Sequence, residues 1–313
     1  MRKPKYISPS ALTIWEKDRE AFYTKYLADV RTPREPQTEP QAVGSAFDAY
    51  VKSNLATDLF GNGVKPELDF TALFESQVES PVRRFAIDAG LHVFNAYCFS
   101  GSYIELLDEL LAAGSEPQFE FQLTGTVGGV PLLGKPDCRY IHSEGAHVML
   151  DWKVNGYCSK YAASPAKYYA MVRDGQVQPK PSRNAGNNHK GYKEIEFQGV
   201  NIGEHFLEDA KPEWADQLSI YGWMMGEEVG TENMVARIDQ IVCKPSEPPL
   251  LRVANHKARV SSQWQIGLIK RLQNCWKAIE DDWIFSSLTK EESKQRCEAM
   301  DMLASYNLEE KGA

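Results

Sequence analysis

The chain of 313 residues is 42 % hydrophobic, 25 % charged and 11 % aromatic, which excludes a disordered, collagen-like or coiled-coil protein. Its 35 Lys and Arg against 43 Asp and Glu give a net charge of −8, a sum that argues against a general nucleic-acid binder. No apolar run approaches the ~18 residues of a membrane span. No apolar stretch follows the basic start Met1–Tyr6, so neither a membrane segment nor a secretory signal is expected, and the expected compartment is the cytoplasm.

Ser8-Pro9 reads as a helix start, with a serine cap and a proline in the first turn. Apolar positions at Leu12, Trp15, Phe22, Tyr23 and Tyr26 carry that helix onward at helical spacing. The three prolines of residues 31–41 predict a loop, and a second helix is predicted over about 42–56. Residues from about 70 to 113 read as mostly helical, punctuated at Pro81 and Gly101. The period then changes to two. Strands are predicted over Phe119–Val127, Val130–Ile141 and His147–Val154, with Gly128-Gly129 as a hairpin turn between the first two. Residues 155–193 have no regular period. A helix follows from Pro212 to about Met225, then strands over Met234–Lys244 and Leu250–Val260. Two last helices are predicted near 262–284 and 289–304, the first with an apolar stripe from Trp264 to Trp283 that reads as core. This order predicts one α/β domain over 1–313: a mainly helical N-terminal region over residues 1–115, a β-core 116–260 with a basic insertion 154–212, and C-terminal helices 261–313. The six cysteines include no CxxC pair, so reduced thiols are expected rather than a zinc site, with Cys98 and Cys243 as core residues.

One constellation carries chemistry. Gly134-Lys135-Pro136-Asp137 closes the second predicted strand, and Asp151-Trp152-Lys153 lies within the third. Residues i and i+2 of a strand share a face, so Asp151 and Lys153 point together while Trp152 points into packing. A short turn between antiparallel strands can set Asp137 beside Asp151. Two adjacent carboxylates repel unless a cation lies between them, and carboxylate oxygen is the ligand of choice for Mg²⁺ or Mn²⁺. Lys153 is placed to orient or deprotonate an attacking water and to support charge developing on phosphorus. A turn aspartate or a surface lysine is common. A mid-strand Asp-x-Lys among Val148, Met149, Leu150 and Val154 is not, because buried strands rarely hold an unpaired charge.

Pro136-Asp137 followed by Asp151-x-Lys153 resembles the signature of the PD-(D/E)XK nuclease superfamily. Gln217-Leu218-Ser219-Ile220-Tyr221 is similar to the Gln-x-x-x-Tyr motif of its RecB-like branch, which includes RecE-type phage exonucleases and CRISPR-associated exonucleases. Ile7-Ser8-Pro9-Ser10-Ala11-Leu12 and Gly44-Ser45-Ala46-Phe47-Asp48 resemble that branch's Ser-x-Ser-x-Leu and Gly-Thr-Ala-Phe-His segments. The resemblance implies a restriction-endonuclease-like core, a central mixed β-sheet flanked by helices, with helical additions at both ends. It implies Asp137 and Asp151 as metal ligands, Lys153 as the catalytic lysine, and Gln217 and Tyr221 as bracing or DNA-contact residues. The cofactor it implies is Mg²⁺ or Mn²⁺, and the partner is DNA, as duplex ends or single strand. It is compatible with a homo-oligomer and a recombination partner protein, and the implied setting is phage-type recombination or repair.

The sequence departs from the family in three places. Asp48 stands where the family has histidine, and a carboxylate there still suits a hard cation. Asp48 and Glu120 are further candidate ligands. Cysteines are too few and wrongly placed for the iron–sulfur cluster of some relatives, so no cluster is expected. More than sixty residues separate Lys153 from Gln217. Within 154–193 the net charge is +6, from residues that include Lys160, Lys167, Arg173, Arg183 and Lys190, interleaved with tyrosines such as Tyr161. Cations for phosphates and rings for stacking make this strip a candidate DNA grip. Three functions are therefore open: an exonuclease on DNA ends, a structure-specific or nicking endonuclease on the same site, and a catalytically silent DNA-binding or assembly subunit.

Overall fold

Ser8 starts the first helix as its sequence predicts. In the computed structural model, which describes residues 1–30, 34–159, 170–173, 176–178, 193–245 and 251–311, α1 (Pro9–Lys17) opens with the Ser8 hydroxyl accepting the Ala11 N–H at 3.2 Å. The helix does not run on to Tyr26. Asp18 leaves helical geometry and uses its carboxylate to cap α2 (Arg19–Phe22), accepting the Ala21 N–H at 2.9 Å. That local bond competes with helix continuation. A π-helical turn, Tyr23–Leu27, follows.

The helical region continues with α3 (Glu39–Phe60), α4 (Phe70–Gln77), α5 (Arg83–Phe99) and α6 (Ser102–Leu111). Gln41 accepts the Thr38 N–H at 2.9 Å and so fixes the start of α3. α3 and α5 pack so closely at Gly90 that a Cβ there would lie 2.5 Å from the Ala46 Cβ and 2.9 Å from the Ala46 carbonyl carbon.

The two long strands predicted over 119–127 and 130–141 are each broken. The first divides into β1 (Gln118–Phe119) and β2 (Leu123–Val127), because Glu120 turns out of the sheet at φ +48°. The second divides into β3 (Val130–Gly134) and β4 (Cys138–Ile141). Pro136, which lacks an N–H, sits at that break. β2 and β3 form their own hairpin, turned by Gly128 and Gly129 at φ +56° and +82°. β5 (His147–Asn155) comes next.

Residues 155–193 are not wholly irregular: they contribute β6 (Ala170–Arg173) and β7 (Gln176–Gln178). A second unpredicted hairpin, β8 (Glu194–Phe197) with β9 (Val200–Gly203), precedes α7 (Leu207–Ala210) and α8 (Pro212–Met224). β10 (Met234–Cys243), β11 (Leu251–Ala258), α9 (Ser262–Glu280) and α10 (Lys290–Lys311) complete the order. The main sheet runs β1-β4-β5-β10-β11-β6-β7. β5 and β10 are parallel and central, and the other pairings are antiparallel.

Helices cover both faces of this mixed sheet. α1, α8 and α9 pack on one face around Leu12, Leu218, Ile238 and Leu268. α3, α5 and α6 pack on the other around Phe47, Val93, Leu106 and Leu150. The α/β class with helical additions at both ends is as expected. The apolar stripe of α9 is core through Leu268, Leu272 and Ile279, while Ile266 and Trp283 are exposed. All six cysteines are free thiols, Cys243 buried and Cys98 partly so. Among the described residues no helix is long and apolar enough to cross a membrane.

β10 also carries a buried polar network toward α5 and α6. The Arg237 guanidinium donates to both oxygens of Asp239 (3.0 and 3.1 Å) and to Glu109 (2.8 Å). Tyr97 donates to Asp239, Tyr140 to Glu109, and Lys257 to Glu109, at 2.7, 2.7 and 2.8 Å. Arg237 and Lys257 outweigh burial and hold Glu109 down at about 2. Every charge in the network is paired, which is the condition for burying it.

Because α3 and α5 touch at Gly90, Gly90→Ala is expected to destabilise the protein by about 1–3 kcal/mol through overpacking. Chemical denaturation measures this; an unchanged midpoint would mean the two helices separate freely.

Candidate functional site

The β4–β5 register pairs Cys138 with Leu150, which sets Asp137 opposite Asp151. Asp137 lies in the break just before β4 rather than inside a strand. Its Oδ2 accepts the Trp152 N–H at 3.1 Å. Asp151 and Lys153 share one face of β5, and Lys153 Nζ pairs with Asp151 Oδ2. Trp152 is buried in the opposite core.

Gln217 and Tyr221, one turn apart on α8, close over this pair. The Gln217 amide donates to Asp151 Oδ1 at 2.8 Å, and its carbonyl oxygen accepts from Lys153 Nζ at 3.2 Å. The same amide lies 3.1 Å from the Tyr221 hydroxyl. One side chain therefore fixes both members of the Asp-x-Lys motif. Tyr221 is held against β3 at Gly134, where a Cβ would fall 2.5 Å from its ring.

Asp48 and Glu120 converge on Asp137. Carboxylate oxygens of all three lie within 4.8 Å of one another, close enough to share one cation. Glu120 arrives there by the positive-φ turn that breaks the first strand. The cation among them is Lys52, one turn after Asp48 on α3. Its Nζ lies 2.6 Å from Asp48 Oδ2 and 3.0 Å from Asp137 Oδ1, and it also pairs with Glu120. The Lys52 side chain is 0 % exposed. Gln77 at the end of α4 donates to Asp48 and Glu120 at 2.9 and 2.8 Å.

The electrostatics separate the carboxylates. Burial raises Asp48 well above the usual carboxylate range, and the repulsion of Asp137 and Glu120 adds to this against Lys52. Burial also raises Asp151, to about 6, with Lys153 opposing and Asp137 adding. Asp137 behaves differently. Burial would raise it, but Lys52 and Lys153 outweigh burial and hold it low. Burial likewise acts against both lysines, yet their carboxylates dominate and both ammoniums are held above the ordinary lysine value. Tyr221 is pushed up to about 12 by burial and by Asp151.

The site opens to a cleft of about 680 Å³ lined by Ser8, Ser10, Lys135, Lys153, Lys211, Gln217 and Tyr221, among others. The N-terminal segment reaches this cleft because Ile7 pairs with β3, donating to the Pro131 carbonyl at 2.9 Å and accepting from Leu133 at 3.0 Å. Of the predicted basic strip, Lys160, Tyr161, Lys167, Arg183 and Lys190 lie outside the described residues. Arg173 ends β6, at the far side of the sheet order from β4.

Comparisons with known proteins leave the site to its own geometry. No family model matches the chain, and no curated protein matches it. Among solved structures the chain is similar to a candidate exonuclease from Eubacterium rectale. Identity is 10 % and the TM-score 0.43, over 89 % of this chain and 82 % of that one. It is also similar to the protein SSO0001, with 11 % identity and a TM-score of 0.26, over 88 % and 94 % of the two chains. Likenesses this distant carry no argument about chemistry.

The structure thus brings Asp48, Glu120, Asp137, Asp151, Lys153, Gln217 and Tyr221 into one locality. The residue that sequence reasoning missed is Lys52. Its signal was present: an acid–base pair at i and i+4 on a helix face that also carries Phe47, Val51 and Leu55.

The contrast between the two central aspartates can be measured. Asp137→Asn removes a charge that two lysines require, and is expected to cost on the order of 3 kcal/mol in EDTA at pH 8. Asp151 differs in sign. A raised carboxylate loses stability for the fold as pH climbs from the unfolded value near 4 to about 6. Asp151→Asn should therefore leave the metal-free melting temperature at pH 8 unchanged or raised. Equal losses in both variants would contradict these electrostatics.

Proposed function

We propose that the protein is a divalent-metal-dependent deoxyribonuclease that hydrolyses phosphodiester bonds, acting as an exonuclease on DNA ends. The observation that carries this reading is the convergence of Asp137, Asp151 and Lys153 under Gln217 and Tyr221. These are the residues on which the resemblance to RecB-like PD-(D/E)XK nucleases rests.

The donor set fits the implied ion. Four carboxyl groups outnumber two ammoniums in a half-buried space, and hard carboxylate oxygen is what Mg²⁺ or Mn²⁺ selects. Asp137 and Asp151, flanked by Asp48 and Glu120, would hold it, and when bound it supplies Lewis-acid polarisation of the scissile phosphate. Asp137 is held ionised and ready to ligate. Asp151 must lose its proton to ligate, so binding at this carboxylate weakens below about pH 6.

Lys153 is held as an ammonium. Its role beside the ion is to orient or deprotonate the attacking water and to stabilise charge on the phosphoryl oxygens. Gln217 fixes the angle between Lys153 and Asp151. Lys135 and Lys211, with the serines at the start of α1, supply the cleft with phosphate contacts. By its charge the segment 154–193 would add phosphate contacts of its own, so an acidic protein would hold DNA locally and lose it steeply with salt.

End-labelled linear duplex and covalently closed circles, with Mg²⁺, Mn²⁺ or EDTA, test the reading. Linear DNA should be degraded only with metal and the circle left intact. Asp151→Ala and Lys153→Ala should each lower cleavage by at least ~10²-fold while remaining folded. Cleavage by Asp151→Ala at the wild-type rate would refute the assignment; cutting of the circle would make it an endonuclease. Neutralising Lys160, Lys167, Arg183 and Lys190 together should flatten the salt dependence of DNA binding.

A further inference from the structure

Lys52 has no place in the mechanism above, yet it is the most enclosed charge in the site. Its side chain is wholly buried, and its ammonium contacts Asp48, Glu120 and Asp137 together. Those are the three carboxylates whose oxygens lie within one cation's reach. The ammonium therefore stands where a metal ion bound by that trio would stand.

Displacing it is physically costly. The Lys52 side chain is wholly buried, with the Trp152 ring 5.9 Å from Nζ. An ammonium driven out of the trio would give up three carboxylate partners from a wholly buried position, and breaking a buried pair that way costs several kcal/mol. Gln77 also ties Asp48 and Glu120 into their present positions. The side of Asp137 that faces Asp151 is different. Asp151 and Lys153 meet the cleft-lining Gln217 and Tyr221 there, and Lys153 is itself partly exposed.

Charge gives the same answer. Asp48, Glu120, Asp137 and Asp151 against Lys52 and Lys153 leave at most two negative charges, which one divalent ion neutralises. A second divalent ion would leave a buried excess of positive charge unless an ammonium left the site.

We infer that Lys52 is a built-in cation that occupies the position of a second metal ion, so that the centre binds one divalent ion, between Asp137 and Asp151. This rests on the nuclease reading and goes further by fixing the number of ions and assigning Lys52 as a positioning residue. Lys52 replaces part of the positive charge of a two-metal site and holds Asp48 and Glu120 out of the ion's coordination.

The test is a count of bound Mn²⁺ on the full chain, by the loss of the free-ion electron paramagnetic resonance signal during titration at pH 8. The wild type should bind one Mn²⁺ per chain. Lys52→Met should bind two, melt lower than the wild type in EDTA, and regain more stability than the wild type on adding Mn²⁺. Two ions on the wild type would overturn the inference and leave the nuclease reading standing, as would one ion on Lys52→Met. No binding to the wild type at millimolar Mn²⁺ would instead overturn the metal-dependent reading itself. The wild-type count decides even if Lys52→Met fails to fold.

Discussion

Four carboxyl groups gathered in a small, half-buried volume can stay ionised together only if cations share it, and the site is arranged around that requirement. Lys52 answers it on the α3 side and Lys153 on the α8 side, with Asp137 between them under the influence of both. Lys52 is wholly buried, and Lys153 is bound by Asp151 and Gln217. With four carboxyl groups against two ammoniums the arrangement is short of positive charge, and this deficit supports the proposed divalent ion.

The fold supplies that arrangement from both layers at once. The parallel pair β5 and β10 is largely buried, and residues on its two faces do different work. One face carries Asp151 and Lys153 toward α8. The other carries Arg237 and Asp239 into a network with Tyr97, Tyr140 and Glu109 that is fully paired. The contrast lies in the charge: the second cluster is balanced, whereas the first holds an excess of carboxyl groups, relieved by protonation or by a cation. The breaks in the strands matter as much as the strands. Glu120 reaches the trio only because the chain turns out of the sheet at that residue, and Asp137 is available because Pro136 ends the hairpin strand before β4 begins.

The site was legible in the sequence wherever its geometry is local. Asp151 and Lys153 share a face because strands alternate, and Gln217 and Tyr221 share one because helices repeat every 3.6 residues. Ser8 was legible as a cap for the same reason. Contacts set by tertiary packing were not legible. Lys52 is an ordinary i, i+4 partner of Asp48 until α3 is laid against the sheet and Glu120 and Asp137 arrive from elsewhere. The long strands predicted over 119–127 and 130–141 failed because apolar alternation continues across Glu120 and Pro136, while backbone geometry does not. β6 to β9 were missed because strands of three or four residues carry too little period to detect. The net charge of −8 concealed the division between a basic segment after Lys153 and an acidic remainder that includes the candidate ligands themselves.

The central claim is spatial: one divalent ion held by Asp137 and Asp151, with Lys52 kept among Asp48, Glu120 and Asp137. Crystals soaked in Mn²⁺ and measured at the manganese absorption edge test it most directly. One anomalous peak is expected, between Asp137 and Asp151, with the Lys52 ammonium still on its three carboxylates. A peak at the Lys52 position with the lysine swung away, or two peaks, would contradict it.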